Sequence, residues 1–171
     1  LFHDLVGDTQ IEDLPIPFAA LALDLETGEE RALTGGGLAE ALRASISLPS
    51  VFAPFAYDGV DGRVQGGTYV DAGSVNNVPV DVTRELGGAR VIGVNVINRP
   101  RGWTRSGPPW RNWSPVYRSK MVAYAEMIGF ARNGERHVFT ADVPILPVTH
   151  DFGVTQFYRA EELVEAGRRA A

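Results

Sequence analysis

Apolar residues along this chain fall into short blocks separated by glycine, proline and asparagine, and their spacing changes from block to block. PFAALALDLETGEERALTG (17–35) reads as a buried strand, a turn at Thr27 and Gly28, and a returning strand, with Pro15 and Pro17 marking the entry. In LAEALRASIS (38–47) the period becomes helical. Leu38, Ala41, Leu42, Ser45 and Ile46 share one face, and the helix stops before Pro49. SVFAPFAYDGVDGRVQGGTYVD (50–71) predicts a hairpin that turns at Asp58-Gly59 and Asp61-Gly62.

The second half continues the alternation. VPVDVTRELGG (78–88) predicts a short helix started by Asn76 or Asn77, with Pro79 in its first turn and Gly87 or Gly88 closing it. RVIGVNVIN (90–98) is nearly continuous in apolar residues, the pattern of a strand buried on both faces of a parallel sheet. A helix over 115–134 ending at Asn133-Gly134, a strand over 137–147 and a terminal helix over 159–171 follow. Strand, helix, strand order implies an α/β sandwich. Residues 99–114, rich in Pro, Trp and Arg, exceed an ordinary connection and read as a functional cover or a mobile loop. No domain boundary is visible, so residues 1–171 are expected to be a single domain. Leu1, Phe2, Leu5 and Val6 sit at helical spacing, as if the chain opened partway through an amphipathic helix, which hints at a fragment or a processed chain.

Composition narrows the partners. With 171 residues, 44% of them hydrophobic, the chain has enough for one sizeable core or part of a larger one. A formal net charge of -5 leaves no basic stripe to follow a phosphate backbone, which argues against nucleic acid, and the basic cluster RPRGWTR (99–105) reads as a solvated loop. The absence of cysteine removes disulfides, thiolate catalysis and cysteine metal sites together. No apolar run approaches the roughly 20 residues of a membrane crossing, and the first residues lack the regions of a signal peptide. A cytoplasmic or membrane-associated location is the expectation.

The candidate chemistry lies in GTYVDAGSVNNVPVD (67–81), where a β-forming run delivers Asp71 straight into Ala72 and Gly73. Reactive groups of open α/β sheets gather at the carboxyl ends of strands, and small residues beside the carboxylate let another group approach closely. A carboxylate presented this way could deprotonate a nucleophile's hydroxyl. Local chemistry by itself favours a cap on the turn before the next helix.

Four blocks together resemble bacterial patatin-like phospholipases, including relatives of neuropathy target esterase: EDLPIPFAALALDLETGEE, LAEALRASISLPSVFAP, YVDAGSVNNVPVDVTRELGGARVIGVNV and FYRAEELVEAGRRAA. The resemblance covers nearly the whole chain outside the Trp/Arg-rich loop. Its most specific part is the family's Asp-Gly-Gly or Asp-Gly-Ala motif, matched by Asp71, Ala72 and Gly73, with Ala in place of the usual middle Gly. The resemblance implies a three-layer α/β sandwich with a mostly parallel central sheet. It also implies a lipid acyl hydrolase that needs no cofactor or metal and works through a Ser-Asp dyad, with Asp71 as the base and no histidine base. His3, His137, placed at the start of a strand, and His150 are then structural or solvated.

The family's serine sits in a GxSxG elbow, and these residues contain none. Ser45 and Ser47 lack an elbow's flanking glycines and read as packing or capping residues, and Thr34-Gly35-Gly36-Gly37 reads as a turn rather than an oxyanion loop. The chain therefore matches the C-terminal portion of such a domain, with the elbow expected in an N-terminal portion carried by the same or a separate chain. The alternative is a catalytically inactive patatin-like module that binds lipid or a protein partner. Trp103, Trp110 and Trp113 are candidates for contact with a membrane surface, against a plain solvent-covered loop. A half-sheet centred on RVIGVNV would expose an edge, so the isolated chain is expected to associate.

Overall fold

The computed structural model describes residues 1–49, 51–58, 66–97, 129–152 and 156–171. It is an α/β structure made of two compact units, one comprising Leu1–Val75 with Asp81–Gly88, the other Asn76–Val80 with Ala89–Ala171.

The first unit is built on a four-stranded antiparallel sheet. Its strands are β1 (Ala20–Asp24), β2 (Glu30–Leu33), β3 (Phe55–Tyr57) and β4 (Gly67–Asp71), in the order β2-β1-β4-β3. The β1–β2 hairpin forms as its sequence indicates, with Gly28 at φ 72 in the turn, a left-handed conformation that suits glycine. Along β1 the buried positions are Ala20, Ala22 and Asp24, so small side chains face inward. Helix α2 (Leu38–Ser45) lies against β1, β3 and β4. Its fully buried residues are Ala39, Ala41 and Ala44, whereas Ile46, expected on the inner face, is 40% exposed. Alanine on both the helix and β1 lets the two backbones come close, and that closeness displaces the bulkier leucines to the flanks of the contact. Leu33, Tyr57 and Tyr69 fill the remaining volume with Ile11, and fully burying a side chain of this size contributes about 2 kcal/mol. The two tyrosine rings meet edge to face at 6.3 Å between centroids, and the Tyr57 hydroxyl donates to the Gly35 carbonyl.

The predicted pairing of the 50–71 hairpin is present as β3 against β4, and residues 59–65 of its turn lie outside the described residues. Helix α1 (Phe2–Val6) occupies the apolar block at the chain start, but it buries none of its residues. Helix α3 (Val80–Glu85) closes where expected. Gly87 takes φ 97, and the Gly88 N–H reaches back to the Thr83 carbonyl at 3.0 Å.

In the second unit β5 (Ile92–Val94) pairs in parallel with β6 (Val143–Ile145), so the described parallel sheet has two strands. Parallel pairing was expected for residues 90–98, but burial on both faces was not met. Gly93 is buried, whereas Ile92 is 63% exposed and Val94 46%. A continuous apolar run records that both faces are apolar, and covering each of them requires a separate partner. The expectation of a mostly parallel sheet likewise gives way, among the described residues, to a larger sheet that is antiparallel.

Residues 115–128 of the predicted helix lie outside the described residues; from 129 the helix (α4) continues to 138 rather than stopping at Asn133-Gly134, so His137 lies in a helix rather than opening a strand, and β6 is shorter than the predicted 137–147. Gly134 serves contact rather than termination. A Cβ there would lie 2.6 Å from Asn95 Oδ1 and 3.0 Å from Asn77 Nδ2, so only glycine admits these side chains against the helix. Asn77, expected to start α3, gives its N–H to Asn133 Oδ1 at 2.7 Å. Continuing the helix brings Val138 into the core with Val78, Val80 and Val91. The terminal helix α5 (Ala160–Ala170) follows a single 3-10 turn, Phe157–Arg159. No helix among the described residues is long and apolar enough to cross a membrane.

A strand-ending aspartate as candidate functional site

Strand β4 lies between β1 and β3, and Tyr69 and Val70 anchor it in the core. Asp71, its last residue, pairs with Ala22 of β1 but has outrun β3, whose register ends opposite Tyr69. At that opening the Asp71 N–H donates to the Ser47 carbonyl at 3.0 Å. The loop after α2 thus takes over the position that β3 has vacated.

The Asp71 side chain turns back on its own chain. Oδ1 accepts the Gly73 N–H at 2.7 Å and caps the 3-10 turn Ala72–Ser74. Oδ2 carries no hydrogen bond among the described residues. Ala72 and Gly73 are buried beneath the half-buried carboxylate. Burial pushes the Asp71 carboxyl above its ordinary value, and the Gly73 N–H offsets this only in part. Gly73 is not among the described glycines at positive φ, so it contributes a backbone donor and a small volume rather than an unusual conformation. Ala72 accordingly sits in place of glycine without leaving the turn. The sequence readings of base and cap are therefore compatible, since one carboxylate oxygen caps the turn and the other remains available.

The other residues weighed from the sequence lie elsewhere. Ser47 is fully buried. Its Oγ donates to the Arg43 carbonyl at 2.8 Å and receives Arg43 Nη1 at 2.5 Å, while Ser45 is half-buried at the end of α2. In the Thr34–Gly37 segment the Gly36 N–H is given to Glu12 Oε2 at 2.9 Å, and the Gly36 carbonyl receives Ile11 N–H at 2.9 Å. Those glycines hold residues 9–12 in place. His3 sits 2.9 Å from Glu40 Oε1, and His150 Nε2 is 3.6 Å from Asp151 Oδ2. Trp103, Trp110 and Trp113 lie outside the described residues. Among the described residues no three of His, Asp or Glu gather as a metal site.

Sequence reading missed Arg43. Its guanidinium reaches from Ser47 to Ala53, with Nη2 3.4 Å from the Ala53 carbonyl and Cζ 5.4 Å and 5.5 Å from the Phe52 and Phe55 ring centroids. The available signal was an arginine four residues before a serine, followed by aromatics at 52 and 55.

Residues 2–84, which include α1 through most of α3 and Asp71, match the family model described as patatin-like phospholipase. Three similar proteins agree. Neuropathy target esterase sws of Drosophila melanogaster is 39% identical over 117 residues, 68% of this chain and 8% of that protein. Patatin-like phospholipase domain-containing protein 7 of Rattus norvegicus is 33% identical over 124 residues, 66% of this chain and 9% of that protein. An uncharacterized NTE family protein of Mycobacterium tuberculosis is 35% identical over 120 residues, 70% of this chain and 31% of that protein. The chain belongs to the patatin-like phospholipase family, and it spans less than a third of the length of each of these relatives.

Proposed function

We propose that this chain supplies the base of a lipid acyl hydrolase, with Asp71 working on a serine that lies outside these 171 residues, in an N-terminal portion of the same domain carried by the same or a separate chain. The completed domain is a three-layer sandwich in which β5 and β6 belong to a mostly parallel sheet. The observation that carries the reading is the state of the Asp71 carboxylate. One oxygen is anchored on Gly73 N–H, the other is uncommitted, and the carboxyl is half-buried with its basicity raised by burial. A base becomes more effective as its pKa rises from the carboxylate range toward the working pH. The uncommitted Oδ2 takes the serine proton as the serine oxygen attacks the ester carbonyl carbon. Asp71 then returns that proton to the departing alcohol or lysolipid oxygen. Water, deprotonated by the same carboxylate, attacks the acyl-serine carbon, the fatty acid leaves and the serine recovers its proton.

Family membership favours a phospholipid or another carboxylic ester as substrate, and such a substrate implies work at or near a membrane surface. The test uses the enzyme assembled with its serine-bearing portion. Asp71→Asn lowers p-nitrophenyl ester hydrolysis by about 10²- to 10⁴-fold, the range that a general base supplies, and a fluorophosphonate probe labels a serine that is neither Ser45 nor Ser47. Undiminished turnover in Asp71→Asn, or a label on Ser45 or Ser47, overturns the reading.

A further inference from the structure

We infer that Arg43 is a positioning residue for Asp71, acting through Ser47, an inference that rests on the role proposed for Asp71. The route is a short chain of contacts inside one unit. Arg43 Nη1 meets Ser47 Oγ at 2.5 Å, and Ser47 Oγ in turn donates to the Arg43 backbone carbonyl at 2.8 Å, so the serine side chain is held from both directions. The Ser47 N–H is bound to the Ala44 carbonyl at 3.1 Å, the Leu48 N–H, which shares a peptide plane with the Ser47 carbonyl, is bound to the Ile46 carbonyl at 2.7 Å, and the carbonyl so oriented accepts the Asp71 N–H at 3.0 Å. Arg43 also reaches the far end of the same loop at the Ala53 carbonyl, and its guanidinium rests near the Phe52 and Phe55 rings. The planar fork of arginine suits two acceptors and an aromatic neighbour at once, which lysine's single point charge does not.

Two features indicate that this tether serves the aspartate rather than general stability. Among the described residues Arg43 has no carboxylate partner, and its contacts run to Ser47, the Ala53 carbonyl and the Phe52 and Phe55 rings, so its route to Asp71 passes through Ser47. The tether also lies where β4 has lost β3 as a neighbour. Without it, the last strand residue would keep only β1 and its own Gly73 cap, and the carboxylate proposed to meet a serine would inherit that looseness. Misplacement of a catalytic group by an ångström costs up to about a hundredfold in rate, so a partial loosening is expected to cost about tenfold.

The experiment measures kcat, KM and amide hydrogen exchange in the assembled enzyme, well below each variant's melting temperature. Arg43→Gln is expected to lower kcat about tenfold with KM within about twofold, and to speed exchange at the Asp71 amide by about tenfold. Ser47→Ala reproduces both effects, the double variant is no worse than either single one, and Arg43→Lys falls between Arg43→Gln and the parent. Ser47→Ala keeps the backbone and removes one hydroxyl, so it carries the test if Arg43→Gln fails to fold. Unchanged exchange at Asp71 in folded Ser47→Ala overturns the inference, as does a kcat loss fully explained by the unfolded fraction. An Asp71→Asn variant that still hydrolyses ester would instead sink the proposed base, and the exchange readout would continue to report on the tether by itself.

Discussion

Two aspartates end neighbouring strands of the same antiparallel sheet, Asp24 on β1 and Asp71 on β4, and each closes the same local turn. Asp24 Oδ1 accepts Glu26 N–H at 2.8 Å and Asp71 Oδ1 accepts Gly73 N–H at 2.7 Å, both two residues ahead. Their acidities nevertheless move in opposite directions. Asp24 is held below its ordinary value, chiefly by the Glu26 N–H, with Thr27 and Arg31 adding to it against the cost of burial. Asp71 has only Gly73, and burial wins. Asp24 is the less exposed residue, at 2%. Several donors and Arg31 together lower Asp24, whereas burial against a single donor raises Asp71, so burial and donor set act jointly to separate the two carboxylates.

The sharpest break of the comparison is functional. Asp24→Asn in the assembled enzyme leaves kcat per folded molecule near the parent, whereas Asp71→Asn removes most of it, and equal losses in steady-state assays of the two variants would erase the distinction. Stability should run the other way. Asp24→Ala strands the turn donors and lowers the melting temperature by several degrees at pH 7. Asp71→Asn, which keeps an acceptor for Gly73 and discards a buried charge, raises it, a gain set against lost function.

The pH dependence sharpens this. A carboxyl with a depressed folded pKa contributes stability above its unfolded value, near 3.8, and loses it as pH falls through the folded pKa. A carboxyl with a raised folded pKa favours the fold most below 3.8, and that contribution is lost as pH rises through the folded pKa. Thermal melts from pH 3 to pH 7 should therefore show the Asp71→Asn advantage opening as pH rises, and the Asp24→Asn deficit opening over the same direction. Advantages of one sign for both would contradict the assigned causes.

The smallest effects concern the turns themselves. Gly28→Ala, in the Asp24 turn at φ 72 with open space around it, costs about 1 kcal/mol from backbone strain alone. Ala72→Gly, in the Asp71 turn, costs no more than about 1 kcal/mol and leaves hydrolysis within about twofold, because the buried turn already accommodates the larger residue. Denaturant melts of the two variants measure both.

Much of this was legible in local pattern. The 17–35 hairpin, the helix at 38–45, the β3–β4 pairing and the terminal helix follow from spacing and turn residues, since each is decided within one contiguous stretch of chain. Asp71, Ala72 and Gly73 were legible as a unit for the same reason, down to the capping of their turn. Other features required partners distant in the chain. Asn133-Gly134 carries a helix-stop signature, yet the helix continues because Asn77 and Asn95 approach Gly134 and Val138 is drawn into a core. The apolar run at 90–98 could not say that one face would be left uncovered.

The sequence by itself therefore determined that a strand would present an aspartate to a glycine turn. The tertiary structure decided that this carboxylate would be half-buried and that the Asp71 N–H would meet the Ser47 carbonyl beside Arg43, because burial and contacts between elements are set by residues from other segments, and a local pattern does not encode them.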